Sequence, residues 1–302
     1  MVTPSASFAD WVAEAVGSAV DAVDDPMPGA STATIWPVRA GGREFIVKVY
    51  DLGIEGMGAD DIQRDAAAMR AAAGVGLVAP RVIATDETGT RLGSPAIVMT
   101  RLPGAPRVHG GSDPEAWVDG LADVLVSIGT APLPSESLPE RRPWFSLPVP
   151  VPPWTSDPGP WRAMTEALAE PLPSGPVGFI HRDFHHLNVV WVGPEAVGPV
   201  DWVNGCLGPI ESDIACCRIN IMAAEDARGG LELADRFLAR CREAGLSWHP
   251  AWDLEWLAGI EGIERLVATN AALGARSTLA RTSAIFDEAA VRALDAVDRW
   301  NR

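Results

Sequence analysis

Between Val177 and Asp213 the chain reads VGFIHRDFHHLNVVWVGPEAVGPVDWVNGCLGPIESD, short β-branched apolar segments broken by polar residues of defined chemistry. Asp183, Asn188 and Asp201 are the three whose types and spacing could act together. Val189 to Val192 and Val197 to Val200 read as strands, with Gly193, Pro194 and Glu195 as the turn between them. A hairpin brings the residue before its first strand beside the residue after its second, so Asn188 and Asp201 are expected at one open end. Both offer oxygen to a hard cation. Magnesium keeps several waters and takes one or two protein oxygens, the rest coming from substrate phosphates, so Asn plus Asp suffices. Asp183, on the loop leading into the hairpin, is expected within reach of the same point.

The elements before this stretch supply a cation and an acid. Ser7, with Asp10 three positions on, has capping-box spacing and opens a helix carrying Phe8, Trp11, Val12 and Ala15. Thr32 to Val38 and Glu44 to Tyr50 are strand-like around a turn at Ala40, Gly41 and Gly42, with Pro37 expected to mark a bulge or an edge. Lys48 is a lone cation between Val47 and Val49; such a lysine more often just points to solvent. Asp61 to Ala73 reads as a helix with Ile62, Met69 and Ala73 on one face, and Asp65 falls on that face, where a buried acid needs a partner. Lys48 is the natural candidate.

Arg81 to Ala84 and Pro95 to Thr100 look like further strands, and the Arg101-Leu102-Pro103-Gly104 break suggests a division into lobes of residues 1–102 and 103–302. A helix starts at Asp113 and Pro114 with Trp117, Leu121, Val124 and Ile128 on its apolar face. Pro132 to Pro160 is a proline-rich excursion containing Arg141, Arg142, Trp144 and Trp154, either a substrate loop or a passive surface segment. Ile210 to Ala224, Leu231 to Ala244, Asp253 to Thr269 and Ala280 to Trp300 are helical in period. Glu211, Trp252, Glu255 and Trp256 give that part an aromatic and acidic neighbourhood, a candidate substrate surface beside the blander reading of core packing plus a solvated face.

Length and composition set bounds. The 302 residues can form one large domain or two lobes, and 47% hydrophobic content excludes a disordered chain. Lys+Arg of 24 against Asp+Glu of 40 gives a net charge of −16, which argues against nucleic acid or anionic membrane as partner and favours a cationic one, although solubility alone also explains it. Cys206, Cys216, Cys217 and Cys241 lack C-x-x-C spacing and read as reduced thiols. Without a secretory signal or an apolar run near ~18 residues, a cytoplasmic protein is expected.

HRDFHHLN matches the kinase catalytic-loop pattern H-R-D-x-x-x-x-N. With Lys48, Asp65, this loop, PVDWVN and GPIESDIA in order along nearly the whole chain, the sequence resembles the aminoglycoside phosphotransferase family of small-molecule kinases. That family's motifs run like H-G-D-x-H-x-x-N, I-D-W/F and G-D/P-x-x-x-D-I/L-A. The resemblance implies an α+β, bilobal protein-kinase-like fold, with a small antiparallel-sheet lobe and a larger, mainly helical C-terminal lobe. It implies ATP and Mg2+ as cofactors and transfer of the γ-phosphoryl group to a hydroxyl of a small molecule, with antibiotic resistance as a role.

Carried across position by position, Asp183 is the acid that orients and deprotonates the acceptor hydroxyl, and Asn188 and Asp201 are metal ligands. Lys48 pairs the phosphates, braced by Asp65; Ser31 and Thr32 lie near the phosphates; Met99, Thr100, Arg101 and Leu102 form the adenine hinge. His181 and Asp213 support the catalytic loop, and His185 and His186 are loop packing. Three departures stand out: Asp65 is one methylene shorter than the usual glutamate, no G-x-G-x-x-G follows the first strand, where the loop Pro28 to Thr34 offers only Gly29, Ser31 and Thr32, and Arg182 replaces the usual glycine. The acceptor expected from charge is cationic and aminoglycoside-like. A neutral or amino-alcohol acceptor (macrolide, sugar, choline-like) and a nucleotide-binding pseudokinase are the alternatives. A protein kinase is disfavoured, since D-F-G and A-P-E segments are missing.

Overall fold

A computed structural model describes residues 5–27, 33–51, 59–224, 227–260, 262–274 and 278–302. It divides into two compact units: residues 1–103, 134–138 and 200–205, and residues 104–133, 139–199 and 206–302.

The first unit is built on a five-stranded antiparallel sheet of β1 (Val20–Val23), β2 (Ala33–Ala40), β3 (Arg43–Tyr50), β4 (Val82–Asp86) and β5 (Ala96–Thr100), in the order β1-β2-β3-β5-β4. Gly41 and Gly42 take left-handed φ values of 56° and 72° in the β2–β3 turn, a conformation that glycine enters without a Cβ penalty. The short β1 is not apparent in the sequence. Pro37 lies in the interior of β2, where it pairs with Ile46 in unbroken register. Its carbonyl accepts from the Asp24 amide on the β1 side, so its missing N–H also faces that side and removes no β2–β3 bond.

Helix α1 (Ala6–Val16) starts two residues earlier than the capping-box spacing implies: Ser5, not Ser7, caps it, accepting from the Phe8 amide at 3.3 Å. Its Phe8, Trp11 and Val12 bury against Trp36, Val38, Val47, Val49, Ala96 and Val98, the apolar face of the sheet. Helix α2 (Ala59–Gly74) buries Ile62, Asp65, Ala66 and Met69.

The second unit is mainly helical. Helix α3 (Pro114–Gly129), capped by Asp113, contributes Trp117, Leu121 and Ile128 to the core. Helix α4 (Pro158–Ala167) emerges from the end of the proline-rich excursion, with Asp157 as cap and Pro158 at its start. Every residue of α5 (Glu211–Ala224) is buried, and α6 (Ala227–Glu243) packs beside it.

The helical period over Asp253 to Thr269 resolves into two helices, α7 (Ala251–Ala258) and α8 (Glu264–Ala272), because Gly259 ends the first; α9 (Leu279–Trp300) closes the chain. Trp252 and Trp256 share α7, while Glu261 lies outside the described residues. Two small antiparallel sheets lead into and out of the functional loop. One pairs β7 (Val177–Ile180) with β10 (Cys206–Pro209); the other orders β6 (Ala105–Pro106), β8 (Val189–Val192) and β9 (Glu195–Pro199) as β6-β8-β9. Among the described residues no helix is long and apolar enough to cross a membrane.

Gly205, in the turn after Asp201, meets α2 closely: a Cβ there would stand 2.6 Å from the Ala68 Cβ and 3.0 Å from the Trp202 carbonyl oxygen. Gly205→Ala is expected to cost about 1–3 kcal/mol by overpacking, read as a lower midpoint in urea denaturation.

Candidate active site

Strand β3 directs Lys48 and Tyr50 to one side, because residues two apart share a face. Helix α2 turns Asp65 toward them. Lys48 Nζ lies 2.8 Å from Asp65 Oδ2 and 2.6 Å from Asp201 Oδ1, so the short aspartate meets the lysine directly. The Tyr50 hydroxyl donates to the same Asp65 oxygen. Tyr50 was not among the residues expected here, although its i+2 spacing from Lys48 was a signal for it. The Lys48 and Asp65 side chains are 5% and 1% exposed and Asp201 is 38% exposed, so the first two are out of water and the third is half open to it. Burial alone would lower the ammonium pKa. The Asp201 and Asp65 carboxylates outweigh it, and Lys48 is held well above its ordinary value, permanently charged. Burial likewise pushes the Tyr50 phenol well up and keeps it a donor.

In the helical unit, Asp213 at the start of α5 organises the loop. Its Oδ2 accepts from the His181 amide and its Oδ1 from the Arg182 amide, each at 2.7 Å. Arg182 is thereby held at φ 70°, the left-handed region, where a non-glycine residue costs on the order of 1 kcal/mol. The usual glycine at this place in the motif has its physical reason here. Burial pushes the Asp213 carboxyl up to about 7, with the two amide hydrogen bonds pulling the other way.

His181 is fully buried, with its ring edge-on to Phe184 at 6.2 Å. Beyond Asp183 the chain makes a 3-10 turn over His186–Asn188, capped by His185, whose Nδ1 accepts from the Leu187 amide at 3.3 Å. His185 Nε2 lies 3.3 Å from the Asn188 side-chain nitrogen and 3.6 Å from Asp183 Oδ1. The Asn188 side-chain amide donates to the Asp183 carbonyl at 2.9 Å, which leaves its oxygen as the acceptor end. His186 is buried against Trp117 with both ring nitrogens unpartnered, and burial drives its pKa well down, so it is a neutral packing residue.

Asn188 and Asp201 are oxygen donors of the kind a hard cation takes. Pro199 pairs with Val189 across β8–β9; Asn188 precedes the first strand and Asp201, at φ 64°, follows the second. Among the described residues no cluster of three or more His, Cys, Asp or Glu could hold a metal.

The other expected residues are placed as follows. Met99 lies in β5, Thr100 Oγ1 accepts from the Arg81 amide, and the amides of Thr100 and Arg101 bond to Arg81 and Glu44 carbonyls, so Leu102 is the position of that stretch not engaged by these bonds. Ser31 and Thr32 lie outside the described residues. Glu211 is buried, with Oε1 accepting from the Gly175 amide at 2.7 Å. Trp252 and Glu255 are also buried: the indole donates to the Pro173 carbonyl at 2.9 Å and Glu255 pairs with Arg141. These three therefore hold the helical unit together; only Trp256 keeps part of its surface exposed.

The profile of the APH phosphotransferase enzyme family matches residues 27–256. The chain belongs to this phosphotransferase family. Solved structures of the same fold include a protein of Ralstonia eutropha JMP134 provisionally named an aminoglycoside phosphotransferase, with TM-score 0.64 at 16% identity over 96% of this chain and 98% of its own. A thermostable mutant of the aminoglycoside phosphotransferase APH(4)-Ia, in a ternary complex with ADP and hygromycin B, aligns with TM-score 0.60 at 15% identity, over 96% and 98%. The macrolide 2'-phosphotransferase MphH from Brachybacterium faecium aligns with TM-score 0.55 at 16% identity, over 96% and 98%. At these identities the likeness shows the fold. No curated protein matches the chain.

Two outcomes test this geometry in the phosphotransferase. Lys48→Met strands a buried Asp65 carboxylate and is expected to cost roughly 3–5 kcal/mol in urea denaturation, most of it recovered in Lys48→Met/Asp65→Asn. For Asp213, a folded pKa of about 7 against an ordinary 3.8 means that its contribution to stability is fully present below 3.8 and is lost as pH rises through 7. The stability of the natural protein relative to Asp213→Asn should therefore fall between about pH 3.8 and about pH 7 and level off above that.

Proposed function

We propose that this phosphotransferase uses ATP to phosphorylate a hydroxyl group of a small molecule. The observation that carries the reading is Lys48, a buried and permanently charged ammonium held between Asp65 and the half-exposed Asp201. A cation fixed in that way beside a metal-ligating acid is suited to triphosphate oxygens.

In this reading Asp183 accepts the proton of the acceptor hydroxyl as its oxygen forms the bond to the γ-phosphorus and the bond to the ADP oxygen breaks. Lys48 pairs the phosphates, and Asp65 with Tyr50 keeps its ammonium in place. Asn188, through its side-chain oxygen, and Asp201 would hold a magnesium ion, which supplies charge neutralisation on the phosphates. The His185 ring stands beside the Asp183 carboxylate, 3.6 Å away. Met99 to Leu102 meets the adenine, with Leu102 the backbone position open to it, and Ser31 and Thr32 are assigned to the phosphates by the family resemblance alone. Residues 1–102 serve the nucleotide, and residues 103–302 carry the catalytic loop and the acceptor site. Catalysis is by positioning and charge compensation, with no covalent intermediate.

For the acceptor, two indications diverge. The net charge of −16 favours a cation such as an aminoglycoside. The groups beside Asp183 do not: Arg182 adjoins it, Arg141 is near Arg182, and Glu255 is already spent on Arg141. Local charge acts at shorter range than the screened total, and a neutral or singly charged acceptor is the reading preferred here.

Asp183→Asn is expected to lower turnover by roughly 10² to 10⁴ with nucleotide binding retained. Unchanged turnover would remove Asp183 from the mechanism. A phosphorylation screen across aminoglycosides, macrolides, amino alcohols and sugars reads the acceptor class, and hits confined to polycations would rule out a neutral or singly charged acceptor.

A further inference from the structure

The proline-rich excursion is fixed at both ends and in its middle. At its start the Arg141 amide bonds to the Leu207 carbonyl at 2.8 Å, and Arg141 Nε reaches Ser212 Oγ at 3.0 Å. In its middle the buried Val149 donates its amide to Thr165 Oγ1 at 3.0 Å. At its end Asp287 of α9 gathers Thr155, the Ser156 amide and hydroxyl, and the Trp161 indole; burial opposes the carboxylate there, yet these hydrogen bonds hold its pKa below the ordinary value. A segment tied down at so many points is a strap. Even so, it turns Trp144 (46% exposed), Leu147 (48%) and Val151 (38%) to the outside, an apolar surface that packing within the unit does not account for.

Trp144 is the residue of this strap that meets the catalytic loop. The Arg182 guanidinium stands 4.2 Å above its ring and donates to the Arg142 carbonyl. Behind it lies Gly259 at the end of α7, where an added Cβ would come within 3.3 Å of the Trp144 Cβ. Trp256, one turn earlier on α7, and Asp183 both act on the Cys216 thiol, which burial drives well up. Pro143 and Phe145, the chain neighbours of Trp144, line a cavity of about 610 Å3 with Leu168, Trp252, Arg141 and Glu255. That volume is within the range of small-molecule sites. Two guanidinium groups, Arg141 at the cavity and Arg182 near it, belong to this neighbourhood; the buried carboxylate Glu255 is paired with Arg141, and Glu140 and Glu170, also lining the cavity, are exposed.

We propose that the strap is the acceptor-recognition surface, with Trp144 as its stacking residue and Arg182 as the positioning residue that fastens it to the loop carrying Asp183. It selects a hydroxylated molecule with a broad apolar ring face and at most one positive charge. This rests on the phosphoryl-transfer reading for the reaction, but not for the binding surface. An indole already covered on one face by a guanidinium offers its remaining surface to apolar or sugar rings, while a polycation would be set against the arginines. The arginine found where glycine is usual thereby has a use that offsets its strained backbone.

The test uses the full chain labelled with 5-fluorotryptophan, the Trp144 resonance being assigned by its loss in Trp144→Phe. Erythromycin, a hydroxylated macrolide with one amine, should shift that resonance, and hygromycin B, a polycation, should leave it in place at the same concentration. Arg182→Gly should move the resonance without any added compound and weaken the response to erythromycin. Where the macrolide is turned over, Trp144→Ala should raise its KM about tenfold, with Trp144→Phe restoring part of the loss and the KM for ATP unchanged. A shift with hygromycin B, no shift with erythromycin, or an unmoved resonance in Arg182→Gly would each overturn the proposal. Failure of the phosphoryl-transfer reading looks different: turnover indifferent to Asp183→Asn, with the Trp144 response intact.

Discussion

The two hydrogen bonds from the His181 and Arg182 amides to the Asp213 carboxylate are the constraint on which the helical unit's chemistry depends. They oblige the chain to pass through a left-handed conformation at Arg182, and a left-handed residue reverses the local course of the backbone. That reversal delivers Asp183 to the loop after β7 and sends the Arg182 side chain back toward Trp144. Because Asp213 is fully buried at the head of a helix whose every residue is buried, the anchor is as rigid as the core itself.

The sheet unit solves a comparable problem with the opposite sign of charge. A lysine in the interior of a sheet would lose its proton or its place if it stood alone. Three elements prevent that: β3 supplies Lys48 and Tyr50, α2 supplies Asp65, and the turn after Val200 supplies Asp201. The close seat of Gly205 on Ala68 keeps that turn against α2. Burial of a charge is thus converted into a fixed geometry among three segments remote in sequence, since only one arrangement leaves the ammonium compensated. Asp65, shorter than the usual glutamate, still makes direct contact with the ammonium.

Recognition of the acceptor follows different physics. Nucleotide and metal chemistry demand particular side-chain types, whereas a binding surface for a small molecule is set by shape, exposure and local charge. Glu211, Trp252 and Glu255 had the right chemistry for a cationic acceptor when read as a sequence, yet each is consumed by an internal partner: the Gly175 amide, the Pro173 carbonyl and Arg141. Trp144, in a tract whose prolines gave no periodicity to interpret, is the aromatic residue left open beside the loop.

The sequence by itself determined the chemistry and the order of its parts. Lys48, Asp65, Asp183, Asn188 and Asp201 were legible because each is a polar residue in an apolar setting, at spacings that hairpins and helix faces convert directly into proximity, whereas Asp213 entered only through the family resemblance. The antiparallel sheet and the helical second half were legible for the same reason: their periods are local. What only the tertiary structure decided were contacts with no local period. Ser5 rather than Ser7 as the cap, the break between α7 and α8, the hydroxyl of Tyr50 on Asp65, and the left-handed Arg182 stacked on Trp144 all depend on which distant groups remain unpaired when the chain packs. Pairing of buried polar groups is settled by the whole fold at once, and spacing along one strand or helix does not contain it.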